Sequence, residues 1–371
     1  MNSEESAFIV QVGGSTAEEV AGGSLEQNPL ARGNRLSSAS WALVARRTWN
    51  DFFLNAMMDR GAVQTFFMLL TFAPTVLAAY SIATLALAKN EAQVTELTDE
   101  LISEYIPDGI ADTVRGVVDV IVGSSSEGTI ALVVGVLVAL FSSSAWVRSF
   151  ARSANYVYGR VEGRTVVPTW LVMWGLTIVM VLGAVMMLGA FLLRQSIVAV
   201  FLQPIAEPLG ITGTVNFLLG IFLPVWAWLR YPVIAVLAIV MIALLYHYAP
   251  NVRPSRFRWL SFGSVFSICS IGIVWWLFSL YLSTFASTNA YGAVGTIIAV
   301  LMALWIMNVI LVLGVKLDAE ILRAKELQLG YDSEHTIQAP PRSSKAALHY
   351  ANTQQRLEQA AQDIKLNAKK G

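Results

Sequence analysis

VPTWLVMWGLTIVMVLGAVMMLGAFLL, residues 167–193, holds no Asp, Glu, Lys or Arg. A helix crossing the hydrocarbon of a bilayer needs about 20 mostly apolar residues, and this stretch exceeds that. Working outward, five more stretches read the same way: 63–88, 129–147, 231–249, 260–285 and 296–315, none with Asp or Glu. Composition agrees. Hydrophobic residues make up 56% of the 371 residues and charged residues 13%, against about 25% charged in an ordinary soluble domain. The sequence therefore predicts an all-α polytopic membrane protein with six transmembrane helices.

Charge sets the orientation. With both termini cytoplasmic, the inner segments hold Arg46, Arg47, Arg60, Arg148, Arg152, Arg160, Arg164, Arg253, Arg256, Arg258, Lys316, Arg323 and Lys325, and the outer ones Lys89, Arg115, Arg194 and Arg230. Basic residues favour the inner side. A further apolar stretch, 214–229, contains Pro224. Counting it as a span would throw the Arg253–Arg258 loop outside, so it reads as an interfacial or re-entrant helix, with Trp226 and Trp228 at headgroup level.

The remaining segments are polar or amphipathic. Residues 1–37 carry scattered Glu, Gly and Ser with no apolar core of a signal peptide, and read as disordered. Residues 38–61 pattern as an amphipathic helix that lies on the inner leaflet or packs under the bundle. The acidic segment 89–128 reads as a lid or as a solvated face. The tail 328–371 is polar, with Ala339-Pro340-Pro341 as a linker, and is expected to be loosely attached. The transmembrane domain is thus 62–327.

Polar side chains in a membrane point to function because lipid cannot satisfy them. If the second span continues as a helix, Arg148, Arg152, Asn155 and Glu162 fall on one face, with Arg164 close behind. Two guanidinium groups suit a phosphate or carboxylate, so an anionic solute or lipid headgroup is the ligand this pattern predicts. The competing reading has the arginines reaching to headgroups and Glu162 paired with Arg160 or Arg164. Candidate gating or structural positions are Pro74, which would kink the first span, the turn Asn289-Ala290-Tyr291-Gly292, and His247, a group able to titrate near neutral pH. Asn308 and Gln64 are expected to bond neighbouring helices.

The formal net charge is zero, which gives no pull toward nucleic acid. A single cysteine, Cys269, allows no internal disulfide, and three histidines, two in the tail, are too few for a histidine-rich metal centre. There is no GxxxxGK[ST] loop, HExxH or GxSxG. The sequence thus predicts no enzyme, cofactor or metal.

Several separated motifs resemble the YihY/BrkB family of bacterial inner-membrane proteins. They are Thr65–Pro74, Ser143-Ser144-Ala145-Trp146-Val147-Arg148, Ala154-Asn155-Tyr156-Val157-Tyr158, Glu162-Gly163-Arg164, Tyr246–Asn251, Asn289–Gly295 and Leu313–Glu320. The match covers about 45–330. Lys316 stands where the family often has a carboxylate, and Phe262-Gly263 where Pro-Gly is usual, which resembles the YhjD-type branch. The resemblance implies a multi-pass protein of the bacterial cytoplasmic membrane, with envelope lipid or solute transport among the suggested activities. An older ribonuclease label fits a chain with a basic RNA-binding domain and metal ligands, which this sequence lacks. The sequence reading is therefore a transporter or exporter of an anionic or amphiphilic solute, with membrane lipids as partners and oligomerisation open. The alternative is a membrane scaffold acting through its cytoplasmic termini.

Overall fold

A computed structural model of the chain describes residues 27–31, 33–54, 56–71, 98–100, 102–103, 111–112, 114–116, 128–193, 198–199, 212–253, 257–285 and 292–368. The described elements are helices: α1 (Ser38–Leu54), α2 (Met57–Leu70), α3 (Gly128–Val157), α4 (Val166–Leu192), α5 (Thr212–Tyr248), α6 (Phe262–Phe285), α7 (Gly292–Gln328) and α8 (Lys345–Ala368). Among the described residues, four helical stretches are long and apolar enough to cross a membrane: Val166–Phe191, Thr212–Tyr248, Phe262–Leu282 and Ile297–Gln328. Most of the expected first span, Pro74 with it, lies outside the described residues, as do Asn289, Tyr291 and most of the 89–128 segment. The protein is an all-helical membrane protein with several apolar helices.

Its side chains are arranged as lipid demands. Large apolar groups point outward, among them Leu171, Leu182 and Val185 on α4 and Trp275 and Trp276 on α6. The interior of the bundle holds small or polar groups such as Ser144, Thr177, Ser264, Ser267 and Asn308. Lipid offers helices no hydrophobic reason to associate, so close packing and interhelical hydrogen bonds hold them instead. α7 is the hub, packing on α6, α2, α1 and α3, while α4 packs on α5 and α3. Trp146 Nε1 donates to Asn308 Oδ1 at 3.1 Å, and Asn308 Nδ2 donates to Thr65 Oγ1 at 3.2 Å, joining α3, α7 and α2. Gln64 Nε2 reaches Ser153 Oγ at 3.5 Å.

Four expectations need correction. The segment 214–229 is not a separate interfacial or re-entrant piece. It is continuous with 231–249 in α5, whose 37 residues span about 55 Å at the α-helical rise. Pro224 would ordinarily break such a run. A π-helical turn at Leu218–Phe222, closed by the Leu223 N–H on the Leu218 carbonyl, precedes it and absorbs the misfit. The amphipathic helix is not one piece over 38–61 either. It stops at Leu54, and α2 starts at Met57 beyond Ala56, whose φ of 49° is left-handed. Residues 27–31 and 33–37 are held in place. The Gln27 N–H donates to Tyr331 Oη at 2.8 Å, Asn34 Nδ2 to the Lys325 carbonyl at 3.2 Å, Pro29 is buried, and Leu30 is half-buried against the core. Lastly, residues 331–344 are docked rather than loose, with Ser333, Ile337 and Ala339 buried.

The left-handed geometry disfavours any residue with a Cβ by about 1–2 kcal/mol. Ala56 is exposed and its side chain contributes no buried packing. Ala56→Gly is therefore expected to raise stability by about 1 kcal/mol, read as a higher thermal midpoint in detergent. An unchanged or lower midpoint would mean that Ala56 does not hold this conformation in solution.

Candidate functional site

The ends of α3, α5 and α7 meet the starts of α4 and α6 at one Arg-rich end of the bundle. α3 carries Ser142, Ser143, Ser144, Arg148 and Arg152 into it. The Arg148 guanidinium donates to Ser144 Oγ one turn back and lies 5.6 Å from the Trp170 ring centre and 5.9 Å from that of Phe141. Aromatic faces attract a cation without neutralising it. Arg152, one turn further, is exposed. Among the described residues, neither arginine is paired with a carboxylate.

The rest of the expected stripe departs from the helix. α3 ends at Val157, and Gly159, with φ of 63°, turns the chain away. The Arg160 N–H closes on the Asn155 carbonyl at 2.9 Å and the Gly159 N–H on that of Tyr156 at 3.0 Å, the glycine-capped helix end. Glu162 and Arg164 return in a loop. Asn155 Nδ2 donates to Glu162 Oε2 at 3.0 Å, while its Oδ1 accepts from the Asn251 N–H at 2.5 Å. Arg164 pairs with Glu162 at 2.9 Å and donates to the Ala249 carbonyl at 2.9 Å, capping the end of α5. Asn251 donates to the Val161 and Ser343 carbonyls at 3.0 and 2.9 Å. Asn155, Glu162 and Arg164 are thus spent on one another and on backbone. The structure brings all three into a knot that fixes the end of α3 against α5, and leaves Arg148 and Arg152 as the accessible cations of the set.

Burial lowers the pKa of Arg160, with Glu326 opposing the shift, and of Arg342, with Arg164 adding to it. Both guanidinium groups cap carbonyls: Arg160 those of Ile337 (2.6 Å) and Ala339 (2.9 Å), Arg342 that of His247 (2.7 Å).

A second polar cluster lies on α7 and escaped the sequence reading. Lys316, buried, bonds Asp51 of α1 and Glu320, and Glu320 pairs with Arg323 at 3.3 Å. Beside it, Asp318 Oδ1 accepts the Gly263 N–H at 2.8 Å at the start of α6. A cavity of about 70 Å³ opens there, lined by Tyr158, Tyr246, His247, Arg258, Ser261 and Asp318. His247 lines this cavity, whose wall is completed by Leu30, Ala243, Ile321 and Leu322, and its ring is edge-on to Tyr248 and Phe257. Gly292 is the first residue of α7. The signal for the cluster was present: Lys316, Glu320 and Arg323 fall one turn apart directly after an apolar run, a pattern that puts charge on a core-facing stripe. Among the described residues, no group of three or more His, Cys, Asp or Glu side chains is placed to hold a metal.

The family model described as virulence factor BrkB matches residues 48–336, most of the chain and both clusters. The chain belongs to this BrkB family. A Bacillus subtilis (strain 168) relative, YfkH, described as a ribonuclease-like protein, is 26% identical over 285 residues, covering 76% of this chain and 96% of its own length. No solved structure matches. For this BrkB-family chain, Arg148, Arg152, Asn155, Glu162, Lys316 and Glu320 all lie inside the matched region.

Proposed function

We propose that this BrkB-family protein moves an anionic or amphiphilic solute, including envelope lipid, across the bacterial cytoplasmic membrane. In this reading six helices span, the described apolar helices being completed by 63–88 and 129–147, and both termini and the Arg-rich end face the cytoplasm. The observation that carries it is the pair Arg148 and Arg152. Two guanidinium groups one turn apart, with no carboxylate partner among the described residues, sit at the end of an apolar helix. An unpaired guanidinium at the end of the bundle is open to a visiting anion, and its planar fork matches phosphate or carboxylate oxygens. Phe141 and Trp170 hold the Arg148 group in place and offer apolar surface to a chain attached to the anion. Asn155, Glu162 and Arg164 act as positioning residues, holding the helix that presents the arginines.

The test uses proteoliposomes with labelled anionic phospholipid in one set and a labelled soluble organic anion in another. Each compares wild type, Arg148→Ala and empty vesicles. A hydrogen bond to a charged group contributes about 1.5–3 kcal/mol, so Arg148→Ala is expected to cut movement of the true substrate by about 10- to 100-fold. Equal movement by wild type and variant would overturn the site. Movement by neither, from folded protein, would overturn transport of either class.

A second reading, a scaffold acting through its termini, draws on the exposed helix α8. Deleting 345–371 discriminates, since a transporter keeps its activity and a scaffold loses it.

A further inference from the structure

α8 leaves the bundle after a firm anchor. The Ala346 N–H and Ser343 Oγ donate to the Gly163 carbonyl, both at 2.9 Å, and Ala347 and Ala351 are buried. From Asn352 to Ala368 every residue is exposed. At the α-helical rise the 24-residue helix is about 36 Å long, and most of it touches nothing else among the described residues. A helix of this size has marginal stability alone in water, and its sequence shows what completes it.

Tyr350, Leu357 and Ile364 recur at intervals of seven residues and are 62%, 59% and 72% exposed. Ala360 and Ala361 lie beside them on the same face and permit close approach of another helix. The seam of a helix pair uses two positions of each seven; Tyr350, Leu357 and Ile364 fill one of them, and Thr353, Ala360 and Asn367 the other. The flanks carry the second observation. Arg356 and Asp363 border the seam on one side, Glu358 and Lys365 on the other, and among the described residues none of the four has an ion-pair partner within the chain. Each flank therefore holds one cation and one anion seven residues apart. A second copy of this helix meets opposite charge in either direction. Antiparallel, Arg356 faces the second copy's Asp363 and Glu358 its Lys365, with the crossing at Ala360–Ala361. Parallel, Arg356 faces the second copy's Glu358 and Asp363 its Lys365. Lipid headgroups offer no such alternation, and an anionic surface would repel Glu358 and Asp363.

We infer that α8 is a pairing helix, through which two copies of this chain associate along the Tyr350–Leu357–Ile364 seam. The inference is independent of what the bundle carries. Flanking ion pairs on a surface are each weak, so they select the partner while the seam supplies the contact.

Cysteine cross-linking in native membranes tests it on the full chain, with Cys269→Ser as background. Leu357→Cys and Ile364→Cys are oxidised singly and as co-expressed mixtures. Single-variant disulfide dimers at both positions indicate parallel pairing. Dimers that form only in the mixture, joining the two positions, indicate antiparallel pairing. In the cross-linking form, adding Glu at the seam position left unsubstituted is expected to lower the dimer fraction at least fivefold, whereas Gln355→Glu on the opposite face leaves it unchanged. Absence of cross-links in all combinations, or equal cross-linking with Glu on the seam, would overturn the pairing and leave a different protein or the membrane surface as the occupant of this face.

Discussion

Replacing Glu326 by alanine is expected to destabilise the protein by several kcal/mol, on the order of 1–3 kcal/mol for each buried donor left without its acceptor. Glu326 is fully buried near the end of α7. Its carboxylate accepts from Ser333 Oγ at 2.8 Å and from the backbone N–H groups of Gln338 at 2.8 Å and Ala339 at 3.0 Å. Three donors thus converge on one side chain to pin the segment that crosses the Arg-rich end. Without it they are buried and unpaired, at about 1–3 kcal/mol each if the segment stays in place. The segment's cheaper course is to detach. Limited proteolysis with mass spectrometry should therefore find new cuts within 331–344 in Glu326→Ala. Glu326→Gln, which keeps one acceptor oxygen, should fall between the two. Cutting of Glu326→Ala at the wild-type rate and positions would show that the segment is held by other contacts.

Gly314→Ala is expected to cost a comparable amount, because here the closeness of two backbones is at stake. A Cβ at 314 would lie inside contact distance of Ser267 Oγ and Tyr246 Oη, and 2.7 Å from the Gly263 carbonyl oxygen. A Cβ at Gly263 would in turn collide with the Gly314 carbonyl. α6 and α7 meet at these two glycines, and α5 joins them through Tyr246, whose hydroxyl reaches Ser267 Oγ and the Leu311 carbonyl, both at 2.7 Å. Overpacking costs about 1–3 kcal/mol, and disrupting the hydroxyl pair adds about 1–3 kcal/mol. The measurable result is a loss of monodisperse protein on gel filtration and a lowered thermal midpoint. Ser267→Gly added to Gly314→Ala should restore part of the loss, since it removes one obstacle and leaves the backbone oxygen. A normal midpoint for Gly314→Ala would mean that the helices sit further apart than described.

The apolar runs at 167–193, 260–285 and 296–315 were readable because composition and length alone mark them, and α4, α6 and α7 occupy them. The spacing of the charges after the last run was readable, but what compensates them was not. Lys316 marks the end of the apolar stretch, yet α7 continues to Gln328. The reason is a partner 265 positions away, Asp51, which compensates the lysine inside the protein. No local pattern announces such a pair. Pro224 misled for the opposite reason. Proline is a local signal of a break, and the π-helical turn that accommodates it is a tertiary outcome. Ala339-Pro340-Pro341 looked like a free linker. Its carbonyls are put to use instead, the Pro340 oxygen accepting the Arg253 N–H at 2.8 Å. The arginine pair of α3 was visible as a motif, but only the turn at Gly159 shows that Asn155, Glu162 and Arg164 belong to the scaffold behind it.

The docked segment 331–344 has a consequence for biogenesis. It joins the loop after α3, through Arg160 and Gly163, to the loop after α5, through Asn251 and Arg253. Both loops are made before the strap that ties them. While the ribosome is still at work the helices can insert one after another, but the Arg-rich face stays unlaced, with the carbonyl-seeking guanidinium groups of Arg160 and Arg323 waiting for partners not yet synthesised. Closure of this face therefore waits for residues 331–344, and a nascent chain stopped at Gly330 would be an inserted but unfinished protein, the form that quality-control proteases would meet first.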